Sequence, residues 1–230
     1  MKVSGIIEEV SRYLQDNEFE DDVAYVHWTK QDLLTYIRNA IAIVAMVRKE
    51  EFTSTVDVEL VEGIIQELPA PCKSLRTVQG QKDENGVITK RVRETKISNL
   101  TGFNRAVCTS STRSSSSEYT VKSYSYDEAD PKVIIVDPPV PKGVSATLTI
   151  TCYAPPEISG EDDELEVDEN FRPIIFELML YYAYGVDIED VANRERSNQH
   201  WKNALDLLKI YDYKQREEIR QLARRGVMNG

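Results

Sequence analysis

The sequence predicts an α+β protein: a helical bundle formed by the N- and C-terminal helices, with an antiparallel β-rich insertion between them. Three observations carry this. Apolar residues recur at helical spacing near both ends of the chain. Between about residues 51 and 156 the period drops to two, with turn signals between the runs. A stretch dense in carboxylates, residues 157–169, then separates the second region from the return of the helical period. The expected division is therefore 1–50 and 170–213 as helical body, 51–156 as β insertion, 157–169 as acidic linker and 214–230 as a C-terminal tail.

Residues 3–15 place Ile6, Ile7, Val10, Tyr13 and Leu14 on one helical face. The acidic link Asp16 to Asp22 leads to a second helix. Thr29 is its expected N-cap, and Asp32, three residues on, completes a variant of the capping box. Its stripe is Leu33, Ile37, Ala40, Ile41, Val44 and Val47. From Phe52, Val56, Val58 and Leu60 alternate with polar neighbours as in a half-buried strand. GIIQELP follows and is stopped by Pro69 and Pro71. CKSLRTVQ and GVITKRVRETK read as strands around the turn signal Asn85-Gly86. YTVKSYSY, KVIIVDPP and ATLTITCYA read as three more, and Thr109–Glu118 as a Ser-rich surface loop. About six short strands suit a small antiparallel sandwich or barrel. Pro173 fits the first turn of a third helix with core face Ile174, Ile175, Leu178, Met179 and Tyr182. The last helix runs from about Val191 to Tyr213, with an extension to Arg225 left open, and marks its buried stripe with Trp201, Ala204, Leu205 and Leu208.

Composition narrows the function. With 230 residues, 41% apolar, and a formal net charge of -11, the chain folds but is a poor general binder of nucleic acid, which requires clustered cations. The N-terminus lacks a signal-peptide pattern and no apolar run is long enough to span a bilayer. The three cysteines, Cys72, Cys108 and Cys152, have neither disulfide-framework nor zinc spacing, so reduced thiols are expected. The acidic linker lacks the EF-hand arrangement, so no metal is expected there. His27 and His200 each adjoin a tryptophan, and a pairing with Cys152 or a serine is the one nucleophilic arrangement available. No nucleophile elbow, zinc-protease, P-loop or dinucleotide motif accompanies it. No enzyme activity, cofactor or catalytic residue is expected. Tyr119, Tyr124, Tyr126 and Tyr153 are read either as cross-strand pairs or as a stacking surface.

The tail reverses the sign of the chain. Residues Lys214–Gly230 hold Lys214, Arg216, Arg220, Arg224 and Arg225 against Glu217 and Glu218. One reading is a solvated helix end whose cations complement the dipole. The other is a docking segment for an acidic groove, with Ile219, Leu222 and Met228 as apolar contacts.

Five segments in order carry a resemblance: W-T-x-x-D-L-L-x-Y-I-x-x-A (Trp28–Ala40), Q-E-L-P (Gln66–Pro69), Y-D-x-x-D-P-K-V-I-I-V-D-P-P-V-P (Tyr126–Pro141), T-C-Y-A-P-P (Thr151–Pro156) and R-P-I-I-F-E-L-M-L-Y-Y-A-Y (Arg172–Tyr184). Together they resemble the head-to-tail adaptor, or connector, proteins of tailed bacteriophages, particularly the short-tailed type. The resemblance implies a virion neck protein made in the host cytoplasm. It implies a homo-oligomeric ring, commonly a dodecamer, that binds the portal protein and a tail or nozzle protein and surrounds the DNA exit channel through which DNA is ejected. It implies no specific DNA binding and no membrane contact. The portal-docking tail then falls on Lys214, Arg216, Ile219, Arg220, Leu222, Arg224, Arg225 and Met228. The alternative is a carbohydrate-binding or baseplate-type tail component built on the β insertion.

Overall fold

The computed structural model describes residues 1–18, 23–24, 27–83, 85–99, 119–187 and 189–224. The Ser-rich segment 109–118, Cys108, most of the acidic link after Asp16, and the last six residues lie outside them. Among the described residues the chain is mixed α and β, with four α-helices, two four-stranded sheets and a two-stranded ribbon. It divides into two compact units, Met1–Arg48 with Pro156–Gly230, and Lys49–Pro155. The charge divides unevenly. The first unit holds 15 Lys and Arg against 25 Asp and Glu, a net of -10; the second holds 13 against 14, a net of -1.

In the helical unit, α1 (Val3–Leu14) buries Val3, Ile6, Ile7, Val10 and Ser11. Tyr13, one residue before the end of the helix, departs from the expected stripe: it is more than half exposed, with its ring edge-on to Phe176 at 5.5 Å. Its last turn closes through Gln15, which takes the left-handed conformation at φ 54°. Asp16 then turns inward. Its buried carboxylate accepts from the backbone N–H groups of His27 (2.6 Å) and Trp28 (3.0 Å). That fixes the end of α1 against the start of α2 (Lys30–Val47). The expected capping box is present: Thr29 Oγ1 accepts from the Asp32 N–H at 3.2 Å and Asp32 Oδ2 accepts from the Thr29 N–H at 3.0 Å. The buried stripe of α2 gains Leu34 and Ala45 and loses Val47, which is half exposed in the last turn.

The segment 157–169 is more than a solvated connector. Its backbone pairs with the first residues of the chain through Val3 N–H to Asp163 O (3.1 Å), Ser4 N–H to Glu161 O (2.9 Å) and Leu165 N–H to Met1 O (2.8 Å). Ile158 and Leu165 are buried. Asp163 accepts from the N–H groups of Gly160 and Ser159, and these bonds hold its carboxyl below the usual range. Arg38 of α2 donates to the carbonyls of Ile158 (2.9 Å) and Ser159 (3.1 Å). Asp168 then caps a short 3-10 turn, Glu169–Phe171, that opens α3 (Arg172–Tyr184) with Pro173 in its first turn. Ile174, Ile175, Leu178, Met179, Leu180 and Ala183 are buried, so α3 is apolar nearly all round rather than on one face. A 3-10 turn, Gly185–Asp187, leads to α4 (Val191–Arg224). Contacts join α1, α2 and α4 each to α3.

The β unit pairs its strands in two sheets. In the first, β3 (Thr53–Glu59), β10 (Thr147–Tyr153), β5 (Ser74–Lys82) and β6 (Ile88–Lys90) are antiparallel neighbours in that order. In the second the order is β4 (Gly63–Glu67), β9 (Val133–Val140), β8 (Ser123–Tyr126), β7 (Arg93–Glu94). The ribbon is β1 (Asn17–Glu18) with β2 (Val23–Ala24). The expected single strand over GVITKRVRETK is two strands in different sheets, and β7 pairs parallel to β8, so the insertion is not purely antiparallel. Val58, Leu75, Val78, Leu148 and Ile150 of one sheet pack on Tyr124, Ile134, Val136 and Val140 of the other. Buried Gln66 and Gln81 compensate irregular backbone: Gln66 serves Val61 N–H and C=O, and Gln81 serves Tyr119 O and Val121 N–H. The expectation of reduced thiols is corrected, because Cys72 and Cys152 form a disulfide, both fully buried. The turn after Pro69 brings Cys72 to the end of β5, beside Cys152 on β10, a proximity that their separation of 80 residues conceals.

Thr29→Ala removes one partner of the capping box and is expected to cost about 1 kcal/mol in urea unfolding. On the β unit, the ion-paired hydrogen bond from Lys82, then that from Thr149 (2.8 Å), lowers the Asp57 carboxyl. A depressed carboxyl contributes stability above its unfolded value of about 4 that is lost as pH falls through the folded value. Asp57→Asn is therefore expected to reduce stability at pH 7, with the deficit against wild type shrinking below about pH 4. Urea titrations across that range check it.

Candidate docking end of the C-terminal helix

Helix α4 is held from Ser197 to Asp212 and is exposed at Tyr213, Lys214 and Arg216. Ser197, His200, Ala204 and Leu208 face α3 and are buried. Trp201 lies beside Tyr181 at 5.1 Å between ring centroids. Leu205, expected in the buried stripe, is over a third exposed. Residues 211 and 212 anchor the helix to the rest of the unit. Tyr211 packs on Phe171 with ring centroids 4.7 Å apart, Arg48 at the end of α2 lies 4.9 Å over the Tyr211 ring, and Arg48 is ion-paired with Asp212. Burial of the Arg48 side chain strengthens that pair relative to a surface one.

Beyond Asp212 the helix continues. Tyr213, Lys214 and Arg216 are exposed. At the root of this segment, Asp168, Glu169, Pro173, Leu207, Tyr211 and Lys214 line a groove of about 430 Å³. For Ile219, Arg220, Leu222 and Arg224 the helical backbone is described, which carries the segment as a helix to residue 224. Arg225 and Met228 lie outside the described residues. Thirty-four helical residues span about 51 Å. One helix thus combines a root locked into an acidic unit with a basic end.

The other candidates resolve differently. His200 Nδ1 lies 2.8 Å from Glu177 Oε2, which also accepts from Asn203 (3.0 Å), and the ring stacks on Tyr184 at 5.5 Å. His27 contributes its backbone N–H to Asp16. Cys152, the thiol that the nucleophilic reading would pair with a histidine, is spent in the disulfide. The tyrosines do not form a stacking platform. Tyr124 is buried, and Tyr119 donates to Pro138 O (2.7 Å) and is pushed up to about 12 by burial, with Asp137 adding to it. Tyr126 accepts from the Leu75 N–H (3.2 Å). Among the described residues no His, Cys, Asp and Glu group could hold a metal ion, and no helix is long and apolar enough to cross a membrane. Arg48 was not singled out by sequence reasoning. It falls at the end of a helical period, and only the return of α4 gives it a partner.

The sequence matches the family model described as SU10 adaptor protein over residues 1–227. No curated protein matches the chain.

Arg48→Met removes the charge but keeps the aliphatic bulk. We expect faster hydrogen–deuterium exchange at amides 209–214, unchanged exchange in α3, and a loss of about 1–3 kcal/mol in urea unfolding.

Proposed function

The chain belongs to the SU10 adaptor protein family, and from that premise we propose that it is a head-to-tail adaptor of a short-tailed bacteriophage. In this reading the four helices form the bundle of the adaptor, and copies assemble into a ring, a dodecamer in the reading of the sequence above. The ring joins the portal to tail components and surrounds the DNA exit channel. The basic end of α4, Lys214–Gly230, is the portal-docking segment. The action is structural; the family is one of adaptors, and the mechanism needs no catalytic group.

The observation that carries this reading is the reversal of charge along one helix. The helical unit has a net charge of -10, yet its last 17 residues hold five cations against two carboxylates. Opposed charge within the unit lets the body repel what the end attracts. A DNA channel walled by the acidic unit does not retain phosphate. The basic end seats in an acidic site on a different chain, with Ile219 and Leu222 as apolar contacts. The helix already present up to residue 224 lowers the ordering cost of docking relative to a coil. Electrostatic docking of this kind weakens as salt screens it.

Residues 1–213 keep every buried contact named above, so truncation before Lys214 is expected to preserve the circular dichroism and thermal midpoint. Co-sedimentation with portal rings of the same phage checks docking. The full chain pellets with the rings and the truncated chain stays in the supernatant. Pelleting of the truncated chain at the full chain's level overturns the docking role.

A further inference from the structure

The two outward faces of the β unit differ in chemistry. On β3, β10 and β5 the face is polar and internally bonded. Gln79 donates to Thr151 (2.9 Å) and Thr55 (3.4 Å), while Asp57 takes Lys82 and Thr149. On β4 and β9 the face is aliphatic. Ile134 and Val136 point into the core, so alternation turns Val133 and Ile135 outward. Ile65, the cross-strand partner of Ile135, is 57% exposed. Ile97, in the 3-10 turn after β7, is 45% exposed and extends the strip. Ile97, Val133 and Ile135 line a groove of about 830 Å³ whose rim carries the carboxylates of Glu94, Asp127 and Asp130 against the single cation Lys96. A solvated sheet face has no need of that aliphatic strip.

The opposite end of the same unit carries a matching projection. The β5–β6 hairpin ends in a tip whose shape is set internally. Asp83 Oδ1 accepts from the Asn85 and Val87 N–H groups, both at 2.9 Å, and Gly86 takes φ 77°. Beside this turn Val87 is 57% exposed and Ile88 40% exposed. Lys90 and Arg91 follow. A Cβ on Gly80 would lie 2.6 Å from Ile88 Cγ2, so the glycine lets β6 lie close on β5. Hydrogen bonds fix which end is which. Gln81, beside the tip, bonds Tyr119 and Val121 ahead of β8, whereas Leu75, at the start of β5, bonds Tyr126 at the groove end of β8. Six residues of strand, about 20 Å, separate the two.

We propose that the hairpin tip of one copy, Val87 and Ile88, seats in the aliphatic groove of the next, with Arg91 facing Glu94, Asp127 and Asp130. This rests on the ring reading above and assigns it a contact. A projection and a groove at opposite ends of one unit cannot satisfy each other within a copy. They repeat from copy to copy as a heterologous contact, and the rotation between copies closes the ring. Aliphatic burial supplies the attraction, and opposite charges set the register.

The experiment uses the full chain with Val87→Asp, which blocks the tip, and Ile97→Asp, which blocks the groove. Both side chains are exposed, so circular dichroism and thermal midpoints should match wild type. In sedimentation velocity from micromolar to millimolar concentration, wild type is expected to associate, and each variant alone to associate at least about 10-fold more weakly. An equimolar mixture of the two is expected to form a dimer and nothing larger, because it holds one intact tip–groove pair. Variants that associate as wild type does overturn the contact. Association that is lost in Ile97→Asp but kept in Val87→Asp overturns the hairpin as the occupant and points to another segment or a groove–groove pair. A wild type that stays monomeric throughout also overturns the contact. The chain truncated before Lys214 separates this from the docking role: it should self-associate as wild type while losing the portal.

Discussion

The burial of α3 is the constraint on which the helical unit depends. Its six buried apolar residues occupy more of the helix circumference than one neighbour can cover. Three helices are supplied from both sides of the β insertion, and each contacts α3. Hydrophobic transfer at this scale is worth roughly 1.5–3 kcal/mol for each large side chain, so α3 alone dominates the cohesion of the unit. Everything at the C-terminal end follows. The residues of α4 from Ser197 to Tyr211 are fixed because they run back along α3 from Tyr181 to Phe171, and the helix continues past the start of α3 at Arg172.

Local chemistry was legible in the sequence wherever the cause was local. Thr29 and Asp32 are three residues apart and their cap forms as read. Val58, Leu148 and Ile150 sit at strand spacing and are buried. What was not legible depends on partners distant in sequence. Tyr13 and Leu205 keep helical spacing yet are exposed: Leu205 stands between buried Ala204 and Leu208 on a side of the helix that α3 does not cover, and Tyr13 touches Phe176 with only one edge of its ring. The split of GVITKRVRETK into two sheets has no period to announce it, since a two-residue connection reads like strand. Cys72 and Cys152 stand 80 residues apart, and only the pairing of β10 with β5 makes them neighbours.

The C-terminal end of α4 shows the same boundary between local and distant causes. The cationic character of residues 214–230 is a property of composition and was visible at once, and continuation of the helix past Tyr213 was one of two extents open to it. That Arg48 holds residues 211 and 212 needed the fold. The acidic run 157–169 has a structural use that its composition hides. Glu161, Asp163 and Leu165 lend backbone groups to the first residues of the chain, Leu165 adds a buried side chain, and the Glu161 and Asp163 carboxylates bind Lys30 and the Ser159 and Gly160 N–H groups.

The strands that open and close the β unit lie side by side. Thr53 pairs with Tyr153, and the Ala154 N–H reaches Phe52 O at 2.9 Å. The chain therefore enters and leaves the β unit through two adjacent strands, a two-strand stem. Folding benefits, because zipping β3 to β10 draws Arg48 and Pro156 together and shortens the effective loop that α2 and α3 must close. Recombination benefits too. A different sheet domain with neighbouring termini could be exchanged at this stem while the helices keep their packing, which offers a lineage a simple route to new neighbours.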